Sequence, residues 1–291
     1  MKNKTLVLLV VILFFLVVVL VLKNLTPRIY TENSPYLEKL KSYNKNNLQS
    51  ILIKKSTDFI ELKKEGGVWK LNGKNADEEK VNQFVNSLFV SIPPEKVAQT
   101  NKKHEEFELT KEKALTVVFD DKLIFLIGKS SEAGVYVRFE DEDNVYFINS
   151  TNKISLETDD WYDKAIVKFN QEEARKIVFK EAGKKEISIV KKEDNWVEEA
   201  TGKNINKEKV TNFLSKTSSL SAKSLYKPQG KTAYSSSPSL ILTLEFEAKS
   251  ETLEFYKGSS DYLIKRLSDR EQFIVTEFSA SSMLSAIKEI L

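Results

Sequence analysis

The sequence predicts an α+β protein in which an amino-terminal transmembrane helix is followed by two tandem, related antiparallel-sheet modules, each carrying a covering helix. Three observations lead to this prediction. Residues 5–22 form a long apolar run, and short segments of alternating polarity recur along the rest of the chain. In addition, residues 72–88 (NGKNADEEKVNQFVNSL) return as residues 201–217 (TGKNINKEKVTNFLSKT), with 7 of 17 positions identical. Alternation is typical of half-buried strands, whereas the repeated stretch has helical spacing.

The apolar run predicts a membrane anchor. Residues 5–22 are uncharged, and Thr5 is their only polar member. As a helix they would span about 27 Å, close to the ~30 Å hydrocarbon core of a bilayer. A cleaved signal peptide is the alternative, but its apolar region is shorter and is followed by small residues, whereas Lys-Asn-Leu-Thr-Pro follows Leu22.

The charges around the run predict its orientation. Lys2 and Lys4 favour a cytoplasmic amino end, although Lys23 and Arg28 weaken the asymmetry. The sequence therefore predicts a cytoplasmic tail at residues 1–4, an anchor embedded in the lipid bilayer, and a folded part outside the cytoplasm.

Composition and charge limit the function classes. The chain has 291 residues, of which 41% are hydrophobic and 30% are charged, as expected of about two globular domains. The absence of cysteine excludes disulfides, thiol nucleophiles and Cys-ligated zinc. Residues 1–30 hold 4 of the 45 basic side chains and no acidic one, so 41 basic residues face 42 acidic ones in the rest. Nucleic-acid binding needs a basic surplus, and we expect no nucleic-acid partner.

A stalk with a short helix is predicted at residues 23–46. Ser34 is a suitable N-cap and Pro35 suits the first helical position, where its missing N–H costs nothing. The four large side chains that follow fall on one face of that helix: Tyr36, Leu37, Leu40 and Tyr43. Packing against the first module is the favoured role of this stripe, and ligand binding is the alternative.

The two modules are predicted at residues 47–165 and 166–291, and each opens with short strands. Alternation, β-branched residues and turn signals mark these strands. In module 1 they are 51–53, 59–62 and 68–71, and in module 2 they are 177–179, 187–190 and 196–197.

The repeated stretch then predicts a capped, amphipathic helix in both modules. Asp77 and Asn206 are matched N-cap candidates. Val81, Phe84, Val85 and Leu88 lie at i, i+3, i+4 and i+7, and the second copy repeats this face more weakly because Thr217 replaces Leu88. The shared residues thus describe a turn, a cap and a core stripe rather than a binding motif.

Four strands and a closing helix complete each module. The predicted strands are 114–119, 123–127, 135–139 and 145–148 in module 1, and 240–246, 252–256, 262–266 and 273–276 in module 2. Gly128 and Gly258 are predicted to end the second of these strands in their modules. The closing helices are predicted at Asn152–Glu157 and Ala280–Ile290.

This ordering resembles the DUF4340 family of membrane-anchored bacterial proteins, which contain a domain of unknown function. The resemblance covers nearly the whole chain and rests on the anchor, on Gly67–Leu71 (G-x-W-x-L), on Gly134–Arg138 (G-V-Y-V-R), on the Asp163-Lys164 junction and on the recurrence of the set. Module 2 departs from it, with Val197-Glu198-Glu199 after Trp196. The resemblance implies an envelope-facing protein, often associated with ABC-type transporter systems of the gliding-motility kind, with no established enzymatic activity.

The search for catalytic motifs assigns no catalytic, cofactor-binding or metal-binding residue. His104 is the only histidine, and its context NKKHEEFE lacks the second histidine of H-E-x-x-H, so a solvated loop residue is predicted. S-x-x-K occurs at Ser42–Lys45 and Ser188–Lys191, but S-D-N and K-T-G are absent. The sequence has no P-loop, G-x-S-x-G or G-x-G-x-x-G.

Three further features have a structural and a functional interpretation. The acidic run Glu140–Asn144 could collect Ca²⁺ but joins two predicted strands, where a polar hairpin is expected. Trp69, Trp161 and Trp196 could stack on sugars, but core positions are favoured. Residues 235–239 (SSSPS) are predicted to form a loop, which is a candidate contact for a partner.

Taken together, these features predict a non-catalytic, single-pass envelope protein that presents two interaction modules and is an accessory component of an ABC-transporter-type complex. The alternative is an extracytoplasmic protein that captures a glycan, peptide or lipid between the modules. A third class, a hydrolase with two carboxylates, has only chance support, because 42 acidic residues make accidental pairs abundant. Ligand-binding residues stay open.

Overall fold

The computed structural model describes residues 12–17, 34–150, 154–227 and 234–290. Of the predicted anchor, only residues 12–17 fall in these ranges; they are helical and their side chains are exposed. The rest of the anchor, residues 23–33 of the predicted stalk and the predicted cytoplasmic tail lie outside them. Among the described residues, no helix has the length and apolar character needed to cross a membrane. The anchor therefore stays a prediction.

Among residues 34–290, the described part of the chain has two nine-stranded antiparallel sheets and four α-helices, which confirms the predicted α+β class. The first sheet has the strand order β4-β3-β2-β1-β6-β7-β8-β9-β5, and the second has the same order with every number raised by nine: β13-β12-β11-β10-β15-β16-β17-β18-β14. A chain that repeats its helix and strand patterns thus forms two sheets with one strand order.

The strands of the first sheet are β1 Ser50–Lys55, β2 Asp58–Glu65, β3 Val68–Leu71, β4 Lys74–Asn75, β5 Glu95–Ala98, β6 Leu115–Phe119, β7 Leu123–Ser131, β8 Gly134–Phe139 and β9 Val145–Ile148. Those of the second sheet are β10 Ala174–Glu181, β11 Ile187–Lys192, β12 Asn195–Glu198, β13 Asn204–Ile205, β14 Ser224–Leu225, β15 Leu240–Phe246, β16 Ser250–Lys257, β17 Asp261–Arg266 and β18 Gln272–Thr276. Every predicted strand is present, with ends that differ by a few residues.

The helices are α1 Pro35–Lys41, α2 Glu78–Leu88, α3 Lys207–Ser218 and α4 Glu277–Ile290. Short 3₁₀ turns occur at Lys45–Asn47, Asn101–Lys103, Thr158–Asp160 and Gln171–Glu173. The prediction of α1 is confirmed, with Pro35 in its first turn, although the Ser34 side chain makes no capping hydrogen bond.

The repeated stretch forms α2 and α3 as predicted, each with its cap. The Asp77 carboxylate accepts the backbone N–H of Lys80 at 3.1 Å, and the Asn206 side chain accepts the N–H groups of Glu208 and Lys209 at 2.8 and 3.2 Å. The predicted core stripe is buried in both helices. Thr217 is buried as well, because its hydroxyl donates to the Phe213 carbonyl at 2.8 Å one helical turn earlier.

The chain groups into two compact units, bounded as Met1–Thr57 with Gln83–Ile154 and as Asp58–Asn82 with Ser155–Leu291. These boundaries follow contacts rather than the repeat, so the predicted modules at 47–165 and 166–291 stay a prediction. We refer below to the first and second compact unit and describe each by itself.

The first compact unit has side chains packed on both faces of its part of the sheet. Aromatic rings of α1, β7, β8 and β9 form one cluster, with Phe125 and Phe139 centred 4.8 Å apart. A smaller cluster combines Leu109, Ala114, Leu126 and Val145. This second cluster forms because residues 101–109 cross the sheet on that face. The crossing is fixed at Phe107, whose carbonyl accepts the Lys129 N–H at 2.9 Å.

That crossing corrects the prediction for Gly128. The residue lies inside β7 rather than at its end, and a Cβ there would lie 2.1 Å from the Phe107 carbonyl oxygen. Glycine is therefore required by the close approach of another backbone segment. Gly258 does follow the end of β16, as predicted.

The first closing helix is also a correction. Asn152 lies outside the described residues, and residues 154–157 are not helical. The next described element after β9 is the 3₁₀ turn at Thr158–Asp160. In the second compact unit, α4 follows β18 directly and packs against α3, β17 and β18, so only that prediction is confirmed.

Candidate interaction site

Helix α1 docks on the first compact unit through a buried tyrosine. Tyr36 is fully buried, and its ring lies 5.0 Å from the rings of Phe139 on β8 and Tyr146 on β9. Its hydroxyl donates a 2.7 Å hydrogen bond to the Leu88 carbonyl at the end of α2. Helix carbonyls in the last turn lack intrahelical partners, so Tyr36 closes α2 while it fixes α1.

The acidic run forms the predicted β8–β9 connection and faces lysines. The Lys39 ammonium of α1 contacts Asp141 and lies 3.2 Å from Glu142. Lys111 lies 2.6 Å from Glu140. Burial alone would lower the pKa of Lys39, but the Asp141 and Glu142 carboxylates outweigh this effect and raise it above its usual value. The run therefore holds α1 by ion pairs, and no cluster of metal-ligating side chains occurs in the part of the chain that the structure describes.

Arg138 fixes the backbone of this connection. Its side chain is buried, and its Nε donates to the Leu109 carbonyl at 3.0 Å. Its Nη1 lies within 2.9–3.1 Å of three carbonyl oxygens, those of Phe139, Glu140 and Glu142. Burial lowers the pKa of the guanidinium from its usual value, but an arginine keeps its charge in proteins. A positive charge in a ring of carbonyls thus orders the run that carries the acids.

The structure corrects the prediction for His104. Only 7% of its surface is exposed, and its Nε2 lies 3.0 Å from the Asp143 carbonyl oxygen. The residue is a buried part of the support for the acidic connection rather than a solvated loop side chain. The contact joins positions 39 residues apart, so its neighbours in sequence gave no sign of it.

A groove of about 1160 Å³ opens beside α1 in the first compact unit. It lies between the start of α1, the end of α2, the segment 90–96 and strand β9. The apolar side chains that line it include Phe89, Val90, Ile92, Pro93, Tyr146 and Ile148. Tyr146 and Ile148 of β9 are buried, Phe89 and Val90 are half-buried, and Ile92 is 64% exposed. The groove therefore has a covered apolar floor and an exposed apolar wall.

The floor is uncharged at physiological pH, and the rim carries charge. Burial, with nearby Glu142 adding to it, raises the pKa of Tyr146 to about 12. The Tyr146 hydroxyl makes no hydrogen bond of standard geometry among the described residues, and the Asn144 side chain lies near enough only to oppose the rise in its pKa in part. Lys45, Glu95 and Lys96 lie on the rim, and the Lys45 ammonium donates to the Asn86 side chain at 2.7 Å. An apolar floor with a few polar groups at its edge is typical of a binding site.

The other sequence candidates have structural roles. The three tryptophans are buried with 1–4% exposure, which confirms the core prediction. Ser42 and Ser188 of the two S-x-x-K matches donate to the Lys39 carbonyl and to the Glu199 carboxylate, at 2.7 and 2.6 Å. The described part of the Ser-rich stretch is a loop before β15, as predicted. Sequence reasoning missed the groove, since its walls come from three separate segments.

The comparison with protein families decides the identity of the chain. A family model described as a domain of unknown function, DUF4340, matches residues 69–238, which is more than half of the chain. The protein belongs to the DUF4340 family. The region shared with DUF4340 proteins includes α2, the groove segment 90–96, β8 and β9, and α3. No curated protein and no solved structure matches the chain.

Proposed function

We propose that this DUF4340 protein is a non-catalytic, single-pass membrane protein of the cell envelope that presents two interaction modules. It acts as an accessory component of an ABC-transporter-type complex, of the gliding-motility-like kind that the family resemblance implies. The open groove of the first compact unit carries the interaction part of this proposal, because its apolar side chains are contiguous, from the buried floor to the exposed Ile92, and contiguous apolar surface with a polar edge marks interaction sites.

The membrane part of the proposal is supported by chain length. Residues 5–22 are long enough to span the hydrocarbon core. Eleven residues, 23–33, separate them from Ser34 at the edge of the groove. At most ~3.6 Å per residue, this linker reaches about 40 Å. An anchor at residues 5–22 would keep the groove close to the bilayer surface, where the membrane subunits of a transporter are found.

The non-catalytic part is supported by the use of the buried polar side chains. Arg138, His104 and Thr217 are buried, and each bonds to backbone carbonyls of its own unit. These contacts hold a hairpin and a helix turn in place. Side chains committed to backbone carbonyls in this way are typical of structural support rather than of groups that exchange protons with a substrate.

Co-purification tests the complex. The full chain, tagged at its carboxyl end and extracted in mild detergent, is expected to recover transporter permease and ATPase subunits above the level found with an unrelated single-pass protein. Repeated recovery of the chain alone at native expression level would contradict the proposal.

Cysteine labelling tests the topology, and because the chain has no native cysteine, only the introduced cysteine can react. We expect a membrane-impermeant maleimide to label Lys185→Cys in spheroplasts, because Lys185 lies in an exposed turn. Lys2→Cys is expected to react only after lysis. The reverse labelling pattern, or release of both variants in the soluble fraction, would overturn the anchored orientation.

Ligand capture is the second candidate function, and the groove is the observation that favours it. The predicted ligand site between the modules stays a prediction. A small glycan or lipid that co-purifies with the chain in fixed ratio, in place of protein subunits, would favour this alternative.

A further inference from the structure

We propose that the groove of the first compact unit binds an amphipathic α-helix of a partner protein, with small and aliphatic residues on its apolar face and an acidic residue beside them. The inference rests on the proposed interaction function and names the kind of partner. It comes from a difference between the two sheets, which share one strand order but are covered differently.

In the second compact unit a long helix covers the end of the sheet. Helix α4 has 14 residues, packs beside α3, and lies on β17 and β18. The residues that it buries are Ala280, Met283, Ala286, Ile287 and Ile290. Two of them are alanines, whose small side chains let the helix lie close to the sheet.

The corresponding strands of the first compact unit, β8 and β9, are covered by a helix half as long. Helix α1 has 7 residues, and its Tyr36 packs on Phe139 and Tyr146 of these strands. Helices rise about 1.5 Å per residue, so α1 covers about 10 Å and α4 about 21 Å. The difference is about 10 Å, or roughly two helical turns.

The groove begins where α1 begins. Ser34 and Pro35 line it together with Ile148 at the end of β9. In the second compact unit the chain continues from this end of β18 straight into α4. After β9 the described chain does not form a helix. The groove is thus the position that the first half of α4 occupies on the other sheet.

A direct extension of α1 does not fill this position. Ser34 has extended backbone angles, with φ −72° and ψ 125°, and precedes a proline. The residue before a proline is disfavoured in the helical region, so α1 begins at Pro35. A helix in the groove has to come from another segment.

The rim indicates the charge of the bound helix. Lys45 and Lys96 outnumber Glu95 on the rim, and an acidic residue on the flank of the bound helix would complement them. Charge of this kind adds more to specificity and association rate than to affinity. The apolar anchors at i, i+3 or i+4 and i+7 would supply most of the binding energy, as in other helix-in-groove complexes.

A peptide with the α4 sequence (EFSASSMLSAIKEI) is the most direct probe. We expect saturable binding of the labelled peptide to the full-length protein in nanodiscs, measured by fluorescence anisotropy, and a gain of peptide helicity by circular dichroism. Ile92→Asp places a charge on the exposed wall of the groove and should weaken binding at least about tenfold. Leu267→Asp is the matched control, because Leu267 is 46% exposed outside the groove. A scrambled peptide should not bind.

Co-purification with the same two variants separates this inference from the proposed function. Loss of transporter subunits from Ile92→Asp, with retention by Leu267→Asp, supports both. Retention by both variants overturns the helix-binding groove and leaves the proposed function standing. Recovery of the wild-type chain alone, together with peptide binding that Ile92→Asp abolishes, supports the groove and contradicts the transporter complex.

A photoreactive residue at position 92 identifies the occupant in nanodiscs. A cross-link to a helical segment of a co-purified subunit supports the inference. Cross-links confined to lipid, to residues 18–33 of the same chain or to a second copy each overturn it. Failure of the α4 peptide to bind the wild-type protein at millimolar concentration overturns it as well.

Discussion

The Tyr36 hydroxyl donates a 2.7 Å hydrogen bond to the carbonyl oxygen of Leu88, 52 residues further along the chain. This bond joins the first residues of the docked helix α1 to the last carbonyls of α2. The Tyr36 side chain thus has two roles, because its ring packs in the aromatic cluster and its hydroxyl donates to a backbone carbonyl.

Replacing Tyr36 should therefore have two graded effects. Tyr36→Phe keeps the ring and leaves the buried Leu88 carbonyl without this donor, at a cost of about 1–3 kcal/mol in the free energy of unfolding. Tyr36→Ala removes the ring as well and should cost about 3–5 kcal/mol, the range for large aromatic truncations. Amide exchange in β8 and β9 measures the loss, since all three tryptophans lie in the second compact unit. Equal exchange in Tyr36→Phe and wild type would contradict a role for the bond.

The same substitution at Tyr146 should have the opposite effect on the free energy of unfolding. Its buried hydroxyl makes no hydrogen bond of standard geometry among the described residues, so Tyr146→Phe should leave stability at neutral pH unchanged or raise it. The comparison with Tyr36→Phe is matched, because both tyrosines belong to one aromatic cluster.

The raised pKa of Tyr146 also predicts a pH dependence. The folded protein holds the phenol neutral up to a pKa of about 12, whereas the unfolded chain ionises near 10.0. This contribution to stability is fully present below pH 10 and is lost as pH rises towards 12. Its slope is about 1.4 kcal/mol per pH unit. Tyr146→Phe should lose less stability than wild type between roughly pH 10 and 11.5. Parallel pH profiles would show that the phenol is not protected by folding.

Arg138 should be among the most sensitive polar positions of the first compact unit. Arg138→Ala leaves four carbonyl contacts without their donor and should destabilise the first compact unit by at least about 3 kcal/mol. Arg138→Lys should rescue little, because an ammonium cannot reproduce the planar donor geometry. The measurement is amide exchange at residues 139–145, which should lose protection first. Arg175→Ala is the control, since its ion pair with Glu247 is exposed and worth at most about 1 kcal/mol.

Trp69 and Trp196 should behave alike. They lie on β3 and β12, matched strands of the two sheets, and are 3% and 4% exposed. Truncation of either to alanine should cost about 3–5 kcal/mol in urea unfolding followed by the fluorescence of the remaining tryptophans. Phe59→Ala, at a position 62% exposed, should change stability far less. A loss below about 1 kcal/mol for Trp69→Ala would contradict its core role.

The parts of the fold that could be predicted are those whose pattern lies within a few consecutive residues of the sequence. Strands β9 and β15 have the predicted bounds because their own residues carry the β-branched and aromatic pattern. The caps at Asp77 and Asn206 could be predicted because each is a polar side chain directly before an amphipathic stretch, where it can accept the backbone N–H three residues further on. Strand β5, by contrast, reads Glu-Lys-Val-Ala and exists because β9 lies beside it. Such a strand has no signal of its own.

The candidate site could not be predicted, because contacts across large sequence separations create it. The buried His104 contacts the carbonyl of a residue 39 positions away. The groove is lined by residues near positions 34, 90 and 147. The sequence did mark Arg138 within the G-V-Y-V-R segment of the family resemblance, but only the structure gives its contacts.

The ends of the two sheets have a consequence for the protein at high concentration. Strands β4, β13 and β14 at three of the four sheet edges are two residues long, and the fourth edge, β5, follows Pro93-Pro94 and carries Lys96. Edges this short and charged offer little template for pairing with a neighbouring chain. Copies of the protein at high concentration should therefore remain separate rather than join sheet to sheet.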